Sequence, residues 1–207
     1  MTSPSTLSGL YLLLDPSVAH DKNLVQVMRE ASAAGVRLFQ YRDKQASMKQ
    51  AYERAMPLRA AARELRVTFL VNDRCDLALA VDADGVHLGQ DDLPVADARR
   101  LLGPTKLIGL STHSAEQVKA AALTSADYLG FGPIYATSSK ANPDPVVGLE
   151  GLRAIRALTD KPIFAIGGIT PERYRDVLAA GASGAAVISD ILNSCSIGDR
   201  CRDYLRN

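Results

Sequence analysis

The chain has 207 residues, 47% of them hydrophobic and 23% charged, which suits one soluble domain with a sizeable core or, at this length, two small ones. A formal net charge of +1 excludes the bulk positive field that holds nucleic acid or an anionic membrane, so an anionic ligand must be caught by a local site. No apolar run approaches a membrane span, and three cysteines without metal-ligand spacing (Cys75, Cys195 and Cys201) suit a reduced cytoplasm, with a Cys195–Cys201 bridge as the minor alternative.

The polar opening "MTSPSTLSG" lacks a signal-peptide pattern, and residues 1–8 read as a flexible leader. Then "LYLLL" (Leu10–Leu14) forms a first strand. The spacing of Leu24, Val27, Met28 and Ala31 gives a helix that stops at Gly35. "VRLFQ" (Val36–Gln40) is a second strand. "SMKQAYERAMPLRAAARELR" is a long amphipathic helix capped by Ser47, in which Pro57 predicts a kink or a break. "VTFLV" (Val67–Val71), "DGVHL" (Asp84–Leu88) and "LIGLS" (Leu107–Ser111) are the next strands. Ser114 and Gln117 form a capping-box pattern ahead of "AEQVKAAAL". "DYLGFG" (Asp127–Gly132) leads into a long stretch without periodicity, a loop from Ala136 to Val147 that would suit a mobile lid. "PIFAI" (Pro162–Ile166) precedes a helix with Thr170 as cap, Pro171 in its first turn and Gly181 as stop, and "GAAVIS" (Gly184–Ser189) is the last strand.

Eight strands alternating with helices predict a parallel sheet closed on itself, a single-domain (β/α)8 TIM barrel, with an open doubly wound sheet as the competitor. In such barrels the chemistry sits where strands end. Strand three ends in Asn72-Asp73, and "ADGVHLGQDD" ends strand four in Asp91 and Asp92, so acids from neighbouring strands could converge on one hard cation. Alone, either acid reads more readily as a helix cap; two on adjacent strands beside a basic cradle make a metal pair an equally good reading. After strand two comes "QYRDK", where Gln40, Arg42 and Lys44 share one side of an extended chain and form a cradle for phosphate oxygens. Ser111 and His113 follow strand five, and both could touch a ligand. His87 and His20 read as structural or partnerless. "TSSK" after strand six brings small polar residues and Lys140, and Gly167 and Gly168 with Ser189 suit a backbone phosphate site after strands seven and eight. The rim therefore carries two anion sites: a metal-assisted cradle suited to a diphosphate, and a backbone site suited to a monophosphate.

Taken together, "QYRDK", "VNDR", "ADGVHLGQDD", "GLSTHS", "ADYLGFGPIYATSSK", "GLEGL" and "AIGGIT" resemble the thiamine phosphate synthase family in order and approximate spacing, over nearly the whole chain. The resemblance implies a (β/α)8 barrel that couples 4-amino-2-methyl-5-hydroxymethylpyrimidine diphosphate to a thiazole monophosphate, giving thiamine monophosphate and diphosphate. It assigns the pyrimidine diphosphate to Gln40, Tyr41, Arg42, Asp43, Lys44, Asn72, Ser111 and Lys140, and Mg2+ to Asp73 and Asp92. The thiazole phosphate falls to Thr137, Ser138, Ser139, Gly168, Ile188 and Ser189. Ser111, Lys140, Arg42 and Lys44 are the expected catalytic groups. Asp91 departs from the glutamate frequent in the family. The expected partners are small-molecule substrates, with no nucleic acid and no membrane. Two other readings stand beside this one. A thiazole tautomerase relative would use a histidine at the place of His113, and a non-catalytic thiamine-related binding protein would have no need of paired carboxylates.

Overall fold

The computed structural model describes residues 7–137 and 144–206. Its strands are β1 (Gly9–Leu14), β2 (Leu38–Tyr41), β3 (Thr68–Asn72), β4 (Gly85–Leu88), β5 (Leu107–Thr112), β6 (Tyr128–Phe131), β7 (Ile163–Ile166) and β8 (Gly184–Val187). Each is parallel to the next, and β8 pairs back onto β1 from Gly9↔Gly184 to Leu12↔Val187. That last ladder closes the barrel and rules out the open sheet. Among the described residues the helices are α1 (Pro16–Ala19), α2 (Leu24–Ala34), α3 (Met48–Leu65), α4 (Cys75–Ala80), α5 (Val95–Leu102), α6 (Ala115–Ala122), α7 (Gly148–Arg156), α8 (Pro171–Ala179), α9 (Ser189–Leu192) and α10 (Ile197–Leu205). No helix among the described residues is long and apolar enough to cross a membrane.

Alternation along the strands divides the core in two. Leu10, Leu12, Phe39, Phe69, Val86, Ile108, Leu129 and Ile163 pack outward against the helices. Tyr11, Leu38, Leu70, Leu107, Tyr128 and Phe164 fill the barrel. Because both faces are covered, the strands read as nearly continuous apolar runs. Leu7 joins the inner cluster at 5% exposure, so this residue belongs to the fold and not to the leader. Its side chain is apolar, and the barrel base is the place to bury it.

Of the kink or break expected at Pro57, the break is ruled out, and helix α3 runs on through the proline. Ser47 and Gln50 make a full capping box at its start, and Ala51, Ala55, Leu58 and Ala62 hold its inner face. Pro57 and Glu53, whose carbonyl loses its helical partner, are both exposed, so water can take that bond. The cysteines are all free, Cys75 and Cys201 buried and Cys195 exposed, so the Cys195–Cys201 bridge does not form. At α6, Ser114 accepts from the Gln117 amide, but the Gln117 side chain reaches past Ser114 to the His113 N–H, 2.7 Å away.

Candidate active site

The carboxyl ends of the strands open into a cavity of about 1690 Å3. Gln40, Arg42, Lys44, Asn72, Asp73, Asp91, Asp92, Ser111, His113, Thr137, Gly168, Ile188 and Ser189 all line it. Strands far apart in sequence thus bring most of the predicted residues to one place.

The alternation in "QYRDK" divides its side chains. Gln40, Arg42 and Lys44 turn to the cavity. Tyr41 is buried against the helix layer, and its hydroxyl donates to Asp43 Oδ2 at 3.0 Å. Asp43 also holds Arg54 at 2.7 Å and accepts from the Gln45 and Ala46 amides, so these two side chains stay outside the large cavity and secure the turn. Those donors hold the Asp43 carboxyl below its usual range against the opposing effect of burial. Arg42 is held by Asp15, a buried carboxylate at the end of β1. Asp15 also accepts from the Ser17 amide at 2.9 Å and the Ser17 hydroxyl at 2.6 Å. Sequence reasoning missed Asp15, although the strand-ending acid in "LLLD" is the same signal that marked Asp73.

Asp73 takes a left-handed backbone, φ 62, which an aspartate tolerates better than most residues. Its N–H donates to the His87 carbonyl at 2.8 Å, and Lys44 Nζ meets its Oδ2 at 2.5 Å. Asp92 Oδ2 accepts from the Gly89 N–H at 2.6 Å. Burial raises the Asp92 carboxyl above its usual range, and the adjoining Asp73 carboxyl raises it further. Two acids from neighbouring strands therefore converge, with an ammonium beside one of them. Among the described residues no group of three or more His, Cys, Asp or Glu side chains could hold a metal ion. A pair is the number that Mg2+ takes when waters and substrate phosphates complete its shell.

His87, read from sequence as structural, lies against Ser111, with Nε2 2.9 Å from Ser111 Oγ. Its Nδ1 is 2.9 Å from Tyr128 Oη, which is 3.0 Å from Tyr11 Oη, and Gln40 Nε2 donates to Tyr11 at 2.5 Å. Gln40 Oε1 is buried without a partner. Burial pushes the His87 imidazole down to about 4, so it is neutral at neutral pH. His113 Nδ1 donates to the Gly132 carbonyl at 2.6 Å, and its Nε2 is 3.5 Å from Asp144.

At the other end of the cavity the chain turns through Gly167 (φ 91) and Gly168 (φ 61). A Cβ on Gly168 would lie 2.4 Å from the Ala136 carbonyl oxygen, so the turn and the loop after β6 pack backbone to backbone. Ile188 and Ser189 begin α9 beside it. Arg173 donates to the Gly168 carbonyl at 2.7 Å and stacks 4.4 Å above the Tyr135 ring. Arg173 is a second cation that the sequence left hidden among the charges of a helix. Ser138, Ser139 and Lys140, with most of the proposed lid, lie outside the described residues.

A closed (β/α)8 barrel with cationic side chains, converging carboxylates and a glycine turn on one rim defines a phosphate-handling barrel enzyme. The family model described as "Thiamine monophosphate synthase" matches residues 10–191, and the chain belongs to that family. It is 48% identical over 199 residues to "Thiamine-phosphate synthase" of Koribacter versatilis, covering 93% of this chain and 92% of that one. It is 45% identical over 194 residues to the protein of the same name from Syntrophomonas wolfei, covering 94% and 93%. The solved structure of "Thiamine phosphate pyrophosphorylase" from Pyrococcus furiosus superposes with a TM-score of 0.86 at 38% identity, covering 96% of this chain and 94% of that one. The protein is thus an enzyme, a transferase of the thiamine-phosphate diphosphorylase type.

Proposed function

We propose that this enzyme joins 4-amino-2-methyl-5-hydroxymethylpyrimidine diphosphate to 4-methyl-5-(2-phosphoethyl)thiazole in a Mg2+-dependent, dissociative substitution, giving thiamine monophosphate and diphosphate. The observation that carries the reading is that Arg42, Lys44, Asp73, Asp92 and Ser111 share one cavity with the Gly167–Gly168 turn and Ser189. One end suits a diphosphate with a metal, and the other suits a monophosphate. Gln40 lines the same cavity, and its buried amide has an unpaired Oε1 and a second hydrogen on Nε2. An amide of this kind matches the amino group and adjacent ring nitrogen of an aminopyrimidine, as it matches the same pattern on adenine.

Asp73 and Asp92 would hold the metal, and Mg2+ bound there would neutralise charge on the diphosphate. Arg42, kept rigid by Asp15, and Lys44 supply further positive charge where the leaving group gains negative charge. The carbon–oxygen bond breaks with its electron pair leaving on diphosphate, and the aminopyrimidine ring delocalises the positive charge left on the methylene carbon. The thiazole nitrogen then forms the new bond with a lone pair that is already free. No general base is required, and the residues bind, orient and exclude water. Lys140 keeps its expected place at the diphosphate on sequence grounds alone. Free cysteines support a reducing, cytoplasmic setting. A tautomerase would need neither Arg42 and Lys44 nor the carboxylate pair, so the cradle favours the synthase reading. The test is incubation of the protein with both substrates and Mg2+, followed by detection of thiamine monophosphate. Absence of product under saturating substrates would overturn the reading.

A further inference from the structure

Five polar side chains cross the barrel interior in a line that ends at the cavity: Gln40, Tyr11, Tyr128, His87 and Ser111. The first four are buried, the two tyrosines almost completely. Proton counting gives the line a direction. The Gln40 amide nitrogen can only donate, so Tyr11 Oη accepts from it. Tyr11 has one proton, and its other hydrogen-bond partner among the described residues is Tyr128 Oη, so the proton points there. Tyr128 has then accepted, and its own proton goes to His87 Nδ1. A neutral imidazole with a bare Nδ1 carries its proton on Nε2, which donates to Ser111 Oγ. The Ser111 proton is left over, on a side chain that lines the cavity.

We propose that Tyr11, Tyr128 and His87 are positioning residues that fix the Ser111 hydroxyl as a one-way hydrogen-bond donor to the leaving diphosphate. The diphosphate part rests on the function proposed above. An isolated serine hydroxyl can turn either way and must reorganise to meet new charge. Ser111, already accepting from His87, presents its proton before the ligand arrives, and a donor set in advance is the kind that stabilises growing negative charge best. The proton stays on Ser111 throughout, so nothing is transferred along the line.

The packing is built for this arrangement. A Cβ on Gly109 would lie 2.2 Å from Tyr128 Cζ and 2.4 Å from His87 Nδ1, so only a bare Cα on β5 lets the two rings cross it. Phe164 meets the Tyr11 and Tyr128 rings edge-on, at centroid distances of 5.3 and 5.5 Å.

The ring nitrogens of His87 decide the matter. In ligand-free enzyme labelled with 15N-histidine, assigned against His87→Gln, the His87 signals should be those of the Nε2–H tautomer at neutral pH. Tyr128→Phe, which removes the donor to Nδ1, should mix the tautomers and lower kcat about tenfold, the size of one such hydrogen bond, with the KM of each substrate little changed. His87→Gln keeps an acceptor for Tyr128 and a donor for Ser111, so it should retain kcat within about threefold, whereas His87→Ala should lose tenfold or more. An Nδ1–H tautomer in the wild-type enzyme would overturn the inference. So would unchanged kcat in a folded Tyr128→Phe variant, or His87→Gln doing no better than His87→Ala. Failure of the wild-type protein to make thiamine monophosphate would instead remove the functional reading and the diphosphate role with it, leaving the spectrum to report the direction of the line.

Discussion

Substituting Gly168 by alanine tests whether the turn after β7 is a phosphate site or merely a tight corner. The backbone there has φ 61, where an L side chain costs about 1–2 kcal/mol. The new Cβ would also lie 2.4 Å from the Ala136 carbonyl oxygen and 2.9 Å from Tyr135 Cβ. The oxygen is backbone, so residues 135–137 or the turn itself must move. Relief of that overlap adds roughly 1–2 kcal/mol, for a total near 2–4 kcal/mol of lost stability. In a chain of this size the melting temperature should fall by about 5–10 °C. Movement of the turn also misdirects the N–H groups that would meet the thiazole phosphate, and each 1.4 kcal/mol of binding lost raises its KM about tenfold. Gly103→Ala is the control, because φ is 76 there and the added Cβ would have nothing within 4 Å. That variant should lose stability but keep both KM values. Steady-state kinetics, varying one substrate at saturating levels of the other, gives the answer. Gly168→Ala should raise the thiazole phosphate KM at least tenfold while the pyrimidine diphosphate KM stays within about twofold. An unchanged thiazole phosphate KM in a variant that melts early would refute the phosphate site, and unchanged melting would refute the steric reasoning.

Arg42→Ala should do the opposite to the two ligands: calorimetric titration should find pyrimidine diphosphate binding weakened and thiazole phosphate binding nearly intact, and equal weakening of both would contradict the division of the cavity. Chelation should abolish turnover and Mg2+ restore it, with Asp73→Asn and Asp92→Asn each slowing the reaction by roughly a hundredfold or more; full activity in excess chelator would end the metal assignment. Because the Asp92 carboxyl is raised in the fold, its ionisation opposes folding as pH rises past the ordinary carboxylate range, so metal-free Asp92→Asn should melt slightly higher than wild type at pH 7 despite its lost activity. His87 carries the other pH signature. The unfolded chain takes a proton near pH 6.5 and the folded one only near 4, so stability present at pH 7 is lost as pH falls through that window, by about 3 kcal/mol in all. Urea unfolding at pH 7 and at pH 4.5 should find this loss reduced in His87→Gln, and an equal loss in both proteins would mean that His87 is not the group responsible.

Local pattern was enough to reveal the eight strands, the caps at Ser47 and Ser114, and the stop at Gly35, because period and capping are properties of neighbours in the chain. It was also enough to place Asp73 and Asp92 beside the cavity, since in a barrel a residue just after a strand stands on the rim whichever strand it follows. Sequence alone left a kink or a break open at Pro57, because the cost of a helical proline depends on whether the freed carbonyl is wet, and wetness is set by what packs on the helix. The separation of Gln40, Arg42 and Lys44 from Tyr41 and Asp43 followed the strand period, but Asp15 as the anchor of Arg42 did not, because that contact spans 27 residues and comes from pairing β1 with β2. Most remote from sequence is the line through Tyr11, Tyr128 and His87. Its members lie on β1, β6 and β4, with the two tyrosines 117 positions apart and His87 and Tyr128 41 positions apart. Each alone reads as a core aromatic or a satisfied histidine. They meet because closing the sheet points all three into the same narrow interior, and a hydrogen-bond direction exists only once the donors and acceptors on those separate strands are brought within reach of one another.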